Sequence, residues 1–201
     1  MAVITRYCHI RQHTLRDGGR VIFQDGDVSL DEFSERAFLH LGIQYPKFYK
    51  MDRTSRLGIL GVEVLLQGTA PGNSPESVAV VLSNAHASLD TDLRYFETLK
   101  TIASPALFVY TLSNVVTGEI CIRHGFKGEN AFFVTSAFEP ATIASYVEGV
   151  MMKDSTTSCI AGWIDVLGEQ HDVFLYLAEK SKGGDALWRH DAQTVEKLYL
   201  S

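Results

Sequence analysis

Hydrophobic and polar positions recur along the chain with two different periods, which together predict a mixed α/β protein. Short apolar runs bounded by turn residues indicate β-strands, and the uninterrupted run 77–84 is typical of a strand covered on both faces. The predicted strands are residues 2–10 and 20–24, around the polar turn 16–19, followed by 77–84, 130–135, 159–167 and 172–180.

Apolar residues spaced three to four positions apart predict helices between these strands. Ser29 and Glu32 form a capping-box pattern, after which Phe33, Ala37 and Leu41 recur every four residues. Further helices are predicted over about 52–67, 93–100, 141–152 and 193–200, with a loop over 68–75. No repeat, linker or low-complexity segment interrupts the order, so residues 1–201 are predicted to form one domain.

Composition narrows the classes of function. Of the 201 residues 46% are apolar and 21% are charged, which is typical of a globular protein. A formal charge of −6 without a long basic run argues against nucleic acid as the main partner. The nearly apolar run 57–66 contains Glu63 and is too short to span a bilayer. Residues 1–12 carry charges where a secretion signal needs apolar residues, and three cysteines in unrelated contexts do not indicate a disulfide framework, so we expect a cytoplasmic protein.

The segment 104–137 carries the most specific signal in the chain. It contains a Ser-Pro pair, an apolar run, the pattern Asn-x-x-x-Gly and the turn RHGFKGEN, and it ends in Val-Thr-Ser-Ala. This order resembles the segment of β-ketoacyl synthases that leads into the active-site cysteine. The resembling residues, Asn114, Gly118, Arg123, Gly125, Lys127, Gly128 and Asn130, fall in register without a gap. At that spacing the nucleophile's position is Ala137.

The resemblance extends more weakly over most of residues 45–180. Residues 45–66 resemble the family's early helix, and 78–92 stand where it has a central strand and a glycine-rich loop. Residues 159–167 resemble a later Ala-Gly-Gly strand, with Trp163 replacing the second glycine. The resemblance implies the thiolase-like fold, a mixed β-sheet sandwiched by helices, corresponding to the N-terminal half of a ketosynthase. The chain also resembles short, chain-length-factor-like subunits that act beside active synthases.

Two departures from the family pattern bear on activity. Condensation needs a thiolate that is both nucleophile and acyl carrier, and Ala137 supplies no such atom. The family's donor-decarboxylating His and Lys residues lie in a C-terminal half that this sequence does not include. The resemblance therefore implies a pseudoenzyme, with no catalytic residue, no cofactor and no metal site. It would pair with an active β-ketoacyl-[acyl-carrier-protein] synthase in fatty-acid or polyene/polyketide biosynthesis.

Candidate site residues follow from the resemblance and from local charge. Phe108, Tyr110 and Asn114 are expected at an acyl tunnel or a subunit interface. The local excess of positive charge at Lys47, Lys50, Arg53 and Arg56 is explained either by a solvated helix start or by docking of an acidic acyl carrier protein. The expected partners are thus a ketosynthase and an acyl carrier protein, with a homodimer as an alternative.

Other interpretations of the function remain open at this point. Ser136 with His86 or His124, both expected near the nucleophile turn, would instead suggest an acyl thioesterase or acyltransferase. A third alternative is a fragment completed by a separate chain. Cys8, His9 and His13 have metal-ligand composition, but alternation along a strand separates the first two. Asp90 and Asp92 are most simply explained by capping a helix that starts at Leu93.

Overall fold

A computed structural model of the protein describes residues 2–72, 74–181 and 188–201. These residues form one mixed β-sheet of eight strands with helices on both faces, which confirms the predicted fold class. The strands are β1 Ala2–Arg11, β2 Thr14–Asp17, β3 Arg20–Gln24, β4 Val78–Asn84, β5 Asn130–Val134, β6 Ser158–Leu167, β7 Gln170–Lys180 and β8 Trp188–Arg189. The α-helices are α1 Leu30–His40, α2 Arg53–Leu66, α3 Leu89–Thr98, α4 Pro105–Phe108, α5 Val115–His124, α6 Pro140–Met151 and α7 Ala192–Tyr199.

The strand order is β3-β2-β1-β7-β6-β4-β5, and β8 pairs with Val3 and Ile4 near the start of β1. The neighbours β6, β4 and β5 run parallel to one another, whereas the remaining pairs are antiparallel. The carboxyl ends of β4, β5 and β6 therefore meet at one edge of the sheet.

Two apolar layers hold the helices to the sheet. One layer joins α1, α2 and α5 to one face, and the other joins α6 and α7 to the opposite face. Two glycines let α2 approach closely: a Cβ on Gly58 would lie 2.6 Å from Val116 Cγ2, and one on Gly61 would lie 2.7 Å from Leu175 Cδ1. Neither layer includes a residue of α3 or α4.

The helix starts agree only in part with the sequence signals. Ser29 caps α1 by accepting the Glu32 N–H at 3.3 Å, as predicted. A full capping box would also have the Glu32 side chain accept the Ser29 N–H, and this part of the prediction is wrong, because the Glu32 carboxylate binds Arg36 in the next turn instead. Asp52 caps α2 by accepting the Ser55 N–H at 3.1 Å, and Pro140 occupies the first turn of α6.

Several elements differ from the prediction. The polar segment before β3 contains a strand of its own, β2, and β8 was not predicted. Helix α3 begins at Leu89, so the expectation that Asp90 and Asp92 cap a helix starting at Leu93 is wrong. Both lie inside its first turn, where Asp90 accepts the Gly168 N–H and Asp92 accepts the Ser88 hydroxyl. In the predicted loop 68–75, residue 73 lies outside the described residues.

No helix among the described residues is long and apolar enough to cross a membrane.

Candidate functional site

The carboxyl edge of the parallel strands is where α/β sheets usually bind ligands, and the strongest sequence signal leads to it. Strand β5 ends at Val134, and the Thr135 N–H donates to Asn84 O at the end of β4, at 3.0 Å. The turn that follows carries Ser136 and Ala137 before α6 begins. Ala137 is exposed and presents a methyl group, so this turn offers no thiol.

The Ser136 hydroxyl has no imidazole partner. It is exposed, and among the described residues no histidine nitrogen lies within hydrogen-bond distance of it. General-base activation of a serine needs such a contact, directly or through one water. The geometry therefore gives the serine-enzyme alternative no support.

His86 lies in the loop after β4 and is held by a residue that the sequence did not reveal. Its Nδ1 is 2.8 Å from Asp165 Oδ2, while Asp165 Oδ1 accepts the N–H groups of Ala85 and His86 at 3.0 Å each. Asp165 is near the end of β6, which is parallel to β4 and adjacent to it. A single carboxylate in an otherwise apolar strand needs hydrogen-bond partners when it is buried. This pattern is the sequence signal that could have singled out Asp165.

His124 does not lie near the nucleophile turn, so that expectation is wrong. It is the last residue of α5, and with Val78, the first residue of β4, it lines a cavity of about 500 Å³ at the other end of the strand. Its ring stacks on Phe126, and Nε2 is buried without a hydrogen-bond partner, 3.8 Å from Glu63 Oε1. Burial lowers the pKa of His124 from its usual value.

The three expected tunnel or interface residues occupy different environments. Tyr110 is buried and donates to Glu119 Oε1 at 3.0 Å; burial, followed by the nearby Glu119 carboxylate, raises the pKa of its hydroxyl. Phe108 and Asn114 are exposed. The only one of the three that contributes to the interior is therefore Tyr110.

The basic residues near the start of α2 are mostly neutralised. Lys47 binds Glu119 at 2.7 Å. Arg53 binds Asp31 at 2.7 Å, and Arg56 is buried with its guanidinium on Glu35 and on two backbone carbonyls. Lys50 is exposed and forms no ion pair with a described residue. Internal ion pairs thus account for three of the four positive charges.

Seven exposed apolar side chains lie on α3, on α4 and on the segments that flank α4. We call Leu93, Phe96, Leu99, Ile102, Phe108, Val109 and Leu112 the α3–α4 apolar surface. Each is at least half exposed, from 50% at Leu99 to 84% at Ile102. The two helices pack together, with the rings of Tyr95 and Phe108 centred 5.5 Å apart. No described residue of the protein covers this surface.

The candidate metal ligands at the start of the chain do not converge. Cys8 faces α2, with Sγ 3.4 Å from Gly61 O, whereas His9 stacks on Phe174 on the opposite face of the sheet. His13 packs against Phe33 and His171. Within the described ranges no group of three or more His, Cys, Asp or Glu side chains could hold a metal ion.

The cysteines are free in the structure. Cys8 and Cys159 are fully buried, and Cys121 is partly buried. Burial raises the pKa of the Cys8 thiol to about 12 and raises those of Cys121 and Cys159 as well. A low-pKa nucleophilic thiol is therefore not found at any of the three.

No protein-family model matches the sequence, and no curated protein matches it. Solved structures match with probability 1.00. The ishigamide ketosynthase/chain length factor matches 92% of this chain with a TM-score of 0.67 and 15% identity. A chain from the complex of a type II polyketide acyl carrier protein with its ketosynthase bound to a hexaketide matches 89% of this chain with a TM-score of 0.59 and 14% identity.

A third structure matches at similar length. In the complex of a ketosynthase with its chain length factor from Xenorhabdus doucetiae, the matched chain aligns with 98% of this chain at a TM-score of 0.58 and 14% identity, and 90% of that chain is covered. By contrast, this chain spans 63% and 62% of the other two. The protein therefore has the thiolase-like fold that ketosynthases and chain length factors share.

Proposed function

We propose that the protein is a chain-length-factor-like subunit that lacks condensing activity and pairs with an active β-ketoacyl synthase. The observation that carries this proposal is the α3–α4 apolar surface, on a fold whose solved examples include ketosynthase–chain length factor complexes. Large contiguous apolar patches are rare on monomers and usually mark interfaces. The synthase subunit is the occupant that the fold favours.

Strand β5 supplies a second uncovered element. It pairs with β4 on one side and with no other strand of the described residues on its other side. Its last residue, Val134, is exposed, and an open groove of about 700 Å³ between β5 and α6 is lined by residues that include Phe133, Tyr146 and Gly149. Free strand edges are usually paired or protected, so a subunit that covers this edge would stabilise the fold.

The turn after β5 supports the proposed absence of condensing activity. Carbon–carbon bond formation by a ketosynthase needs an acyl-thioester intermediate, and Ala137 cannot form one. Incubation with an acyl-carrier thioester followed by intact-mass measurement should therefore show no stable acyl adduct. An adduct that disappears in Ser136→Ala would establish the serine enzyme in its place.

Contact with an acyl carrier protein is part of the same proposal. The polyketide ketosynthase that matches the fold is in complex with its carrier protein. Among the four basic residues, Lys50 is the strongest candidate for such a contact, since it is exposed and its charge is not offset by a described carboxylate. Arg53 and Arg56 are better explained by their ion pairs with α1.

The experiment is affinity purification of the tagged chain from its own cells, with each co-purifying protein identified by mass spectrometry. We expect a ketosynthase with an intact active-site cysteine at a near-equal molar ratio. A concentration-dependent homodimer that recovers no ketosynthase would replace the heterodimer proposal. A monomer at tens of micromolar without a partner would overturn both.

A further inference from the structure

The loop after β4 holds one imidazole in a defined orientation. The Asp165 carboxylate can only accept hydrogen bonds, so its 2.8 Å contact places the proton of the neutral ring on His86 Nδ1. Nε2 then keeps a lone pair. The His86 side chain is 36% exposed, and Nε2 forms no hydrogen bond with a described residue.

The backbone of this loop is fixed at a conformational cost. Ala87 has a φ of 49°, in the left-handed region that residues other than glycine rarely adopt. The Asn84 side chain holds it on both sides, accepting the Ala87 N–H at 3.0 Å and donating to the Ala87 carbonyl at 2.8 Å. Together with the two N–H bonds to Asp165, these contacts hold the backbone of residues 85–87. Such strain persists where the surrounding structure enforces it, often at functional sites.

His86 and Ala137 lie in the loops that follow two neighbouring parallel strands. His86 is two residues beyond Asn84, and Ala137 is two residues beyond Thr135, which is bonded to Asn84. Both loops thus leave the same edge of the sheet from neighbouring parallel strands. The Ala137 N–H donates no hydrogen bond to a described group, so a donor for a carbonyl oxygen is available there.

We propose that His86 is the general base of a thioester hydrolase site, with Asp165 as its positioning residue. The substrate class, an acyl thioester, rests on the proposed function. Water is the nucleophile, because within the described part of the chain no hydroxyl or thiol bonds to Nε2. Nε2 takes one proton from water as its oxygen attacks the thioester carbon. The carbon–sulfur bond then breaks, the sulfur leaves as a thiol with the proton returned by the imidazolium, and a carboxylic acid remains. Asp165 stays ionised throughout and holds the ring.

The test uses the purified full chain with hexanoyl-coenzyme A and the hexanoyl thioester of N-acetylcysteamine, and follows release of hexanoic acid. We expect release above the buffer rate and a loss of about 100-fold or more in His86→Gln, the range of general-base catalysis. The matched variant Ser136→Ala should keep the wild-type rate. Circular dichroism and thermal unfolding of each variant confirm that it is folded.

Asp165 needs a readout beyond activity, because it also binds two backbone N–H groups. Nitrogen NMR of the histidine rings should show His86 protonated at Nδ1 in the wild-type protein and should lose that preference in Asp165→Asn. Wild-type hydrolysis equal to buffer, or an unchanged rate in folded His86→Gln, would overturn the proposal. Loss of activity in Ser136→Ala would assign the chemistry to the serine. None of these outcomes bears on ketosynthase pairing, which the affinity purification tests separately.

Discussion

Helices α2 and α3 bury their side chains in opposite ways. In α2, eleven of fourteen residues are buried, and they include nearly all of its leucine, isoleucine and valine side chains. In α3 the buried residues are Asp90 and Thr91, whereas Leu93 and Phe96 are 54% and 61% exposed. Helix α3 thus buries polar residues and exposes apolar ones. Its apolar face is not covered by any described residue of the protein. The difference separates a region that stabilises the fold from one that we propose binds a partner.

Polar contacts join α3 to α2 and to the turn between β6 and β7. Asp52, the N-cap of α2, accepts the Thr91 hydroxyl of α3 at 3.2 Å. Asp90 accepts the Gly168 N–H at 2.8 Å, and its second oxygen, Oδ2, is buried without a hydrogen-bond partner. These contacts place α3 firmly while leaving its apolar face outward.

The same substitution in the two helices gives the largest expected contrast. Leu60→Ala in α2 should lower the free energy of unfolding by about 2–5 kcal/mol, because it empties a fully buried site. Leu93→Ala in α3 should change it by less than about 0.5 kcal/mol, as for most surface positions. Denaturant titration of the two isolated variants measures both values. Equal losses would mean that α3 is covered in the isolated protein.

Lowering the pH should destabilise the fold through its buried histidines, whereas the α3–α4 apolar surface contains no histidine. Burial lowers the pKa of His9 from 6.5 to about 4, and it also lowers the pKa values of His171 and His190. The unfolded chain binds the proton first, so stability is lost as the pH falls from about 6.5 towards 4. One such group changes the free energy of unfolding by at most about 1.4 kcal/mol per pH unit.

The variant His9→Phe isolates that contribution. Phenylalanine keeps the stacking on Phe174 and does not titrate, so stability should depend less steeply on pH between 4 and 6.5. Thermal unfolding across this range, beside His40→Gln as the exposed-histidine control, provides the comparison. An unchanged slope in His9→Phe would mean that other groups cause the acid sensitivity.

Asp52 gives a smaller effect at the junction of the two helices. Burial, with a further contribution from the neighbouring Asp90, raises the pKa of the Asp52 carboxyl above 3.8. Its ionised form is therefore disfavoured by folding, and stability should be lost as the pH rises through the folded pKa. Asp52→Asn keeps an N-cap acceptor and removes the charge, so it should be more stable than wild type at neutral pH, with the gain vanishing in acid. Asp52→Ala also loses the cap and should be less stable by about 1 kcal/mol. Parallel thermal melts of the two variants distinguish charge from capping.

Local sequence signals were sufficient for most of the fold. The Ser29 cap, the start of α2 near Asp52, the apolar run of β4 and the start of α6 each depend on residues close in sequence, and each was predicted. The short strand β2 was missed because its pairing with β1, rather than its own composition, makes it a strand.

The candidate site could be predicted only in part, for two physical reasons. Asp165 and His86 are 79 residues apart, and their contact depends on β6 lying beside β4, which periodicity cannot reveal. The spacing of Leu89, Leu93 and Phe96 indicates an apolar helix face, but whether the chain itself covers that face depends on the tertiary structure. Sequence therefore located Ala137 and its turn, but not the contact between His86 and Asp165 or the exposed surface.

The central claim is that the α3–α4 apolar surface binds a ketosynthase subunit. Its most direct test is the dissociation constant of the co-purified synthase for the wild-type chain, for Phe96→Asp and for Leu39→Asp, which changes an equally exposed apolar residue on α1. We predict that Phe96→Asp weakens binding at least about tenfold, a cost of about 1.4 kcal/mol or more, because a charge would be buried in an apolar contact. Leu39→Asp should bind as wild type does, and both variants should unfold at the wild-type temperature. Wild-type affinity in Phe96→Asp, or an equal loss in Leu39→Asp, would contradict the claim.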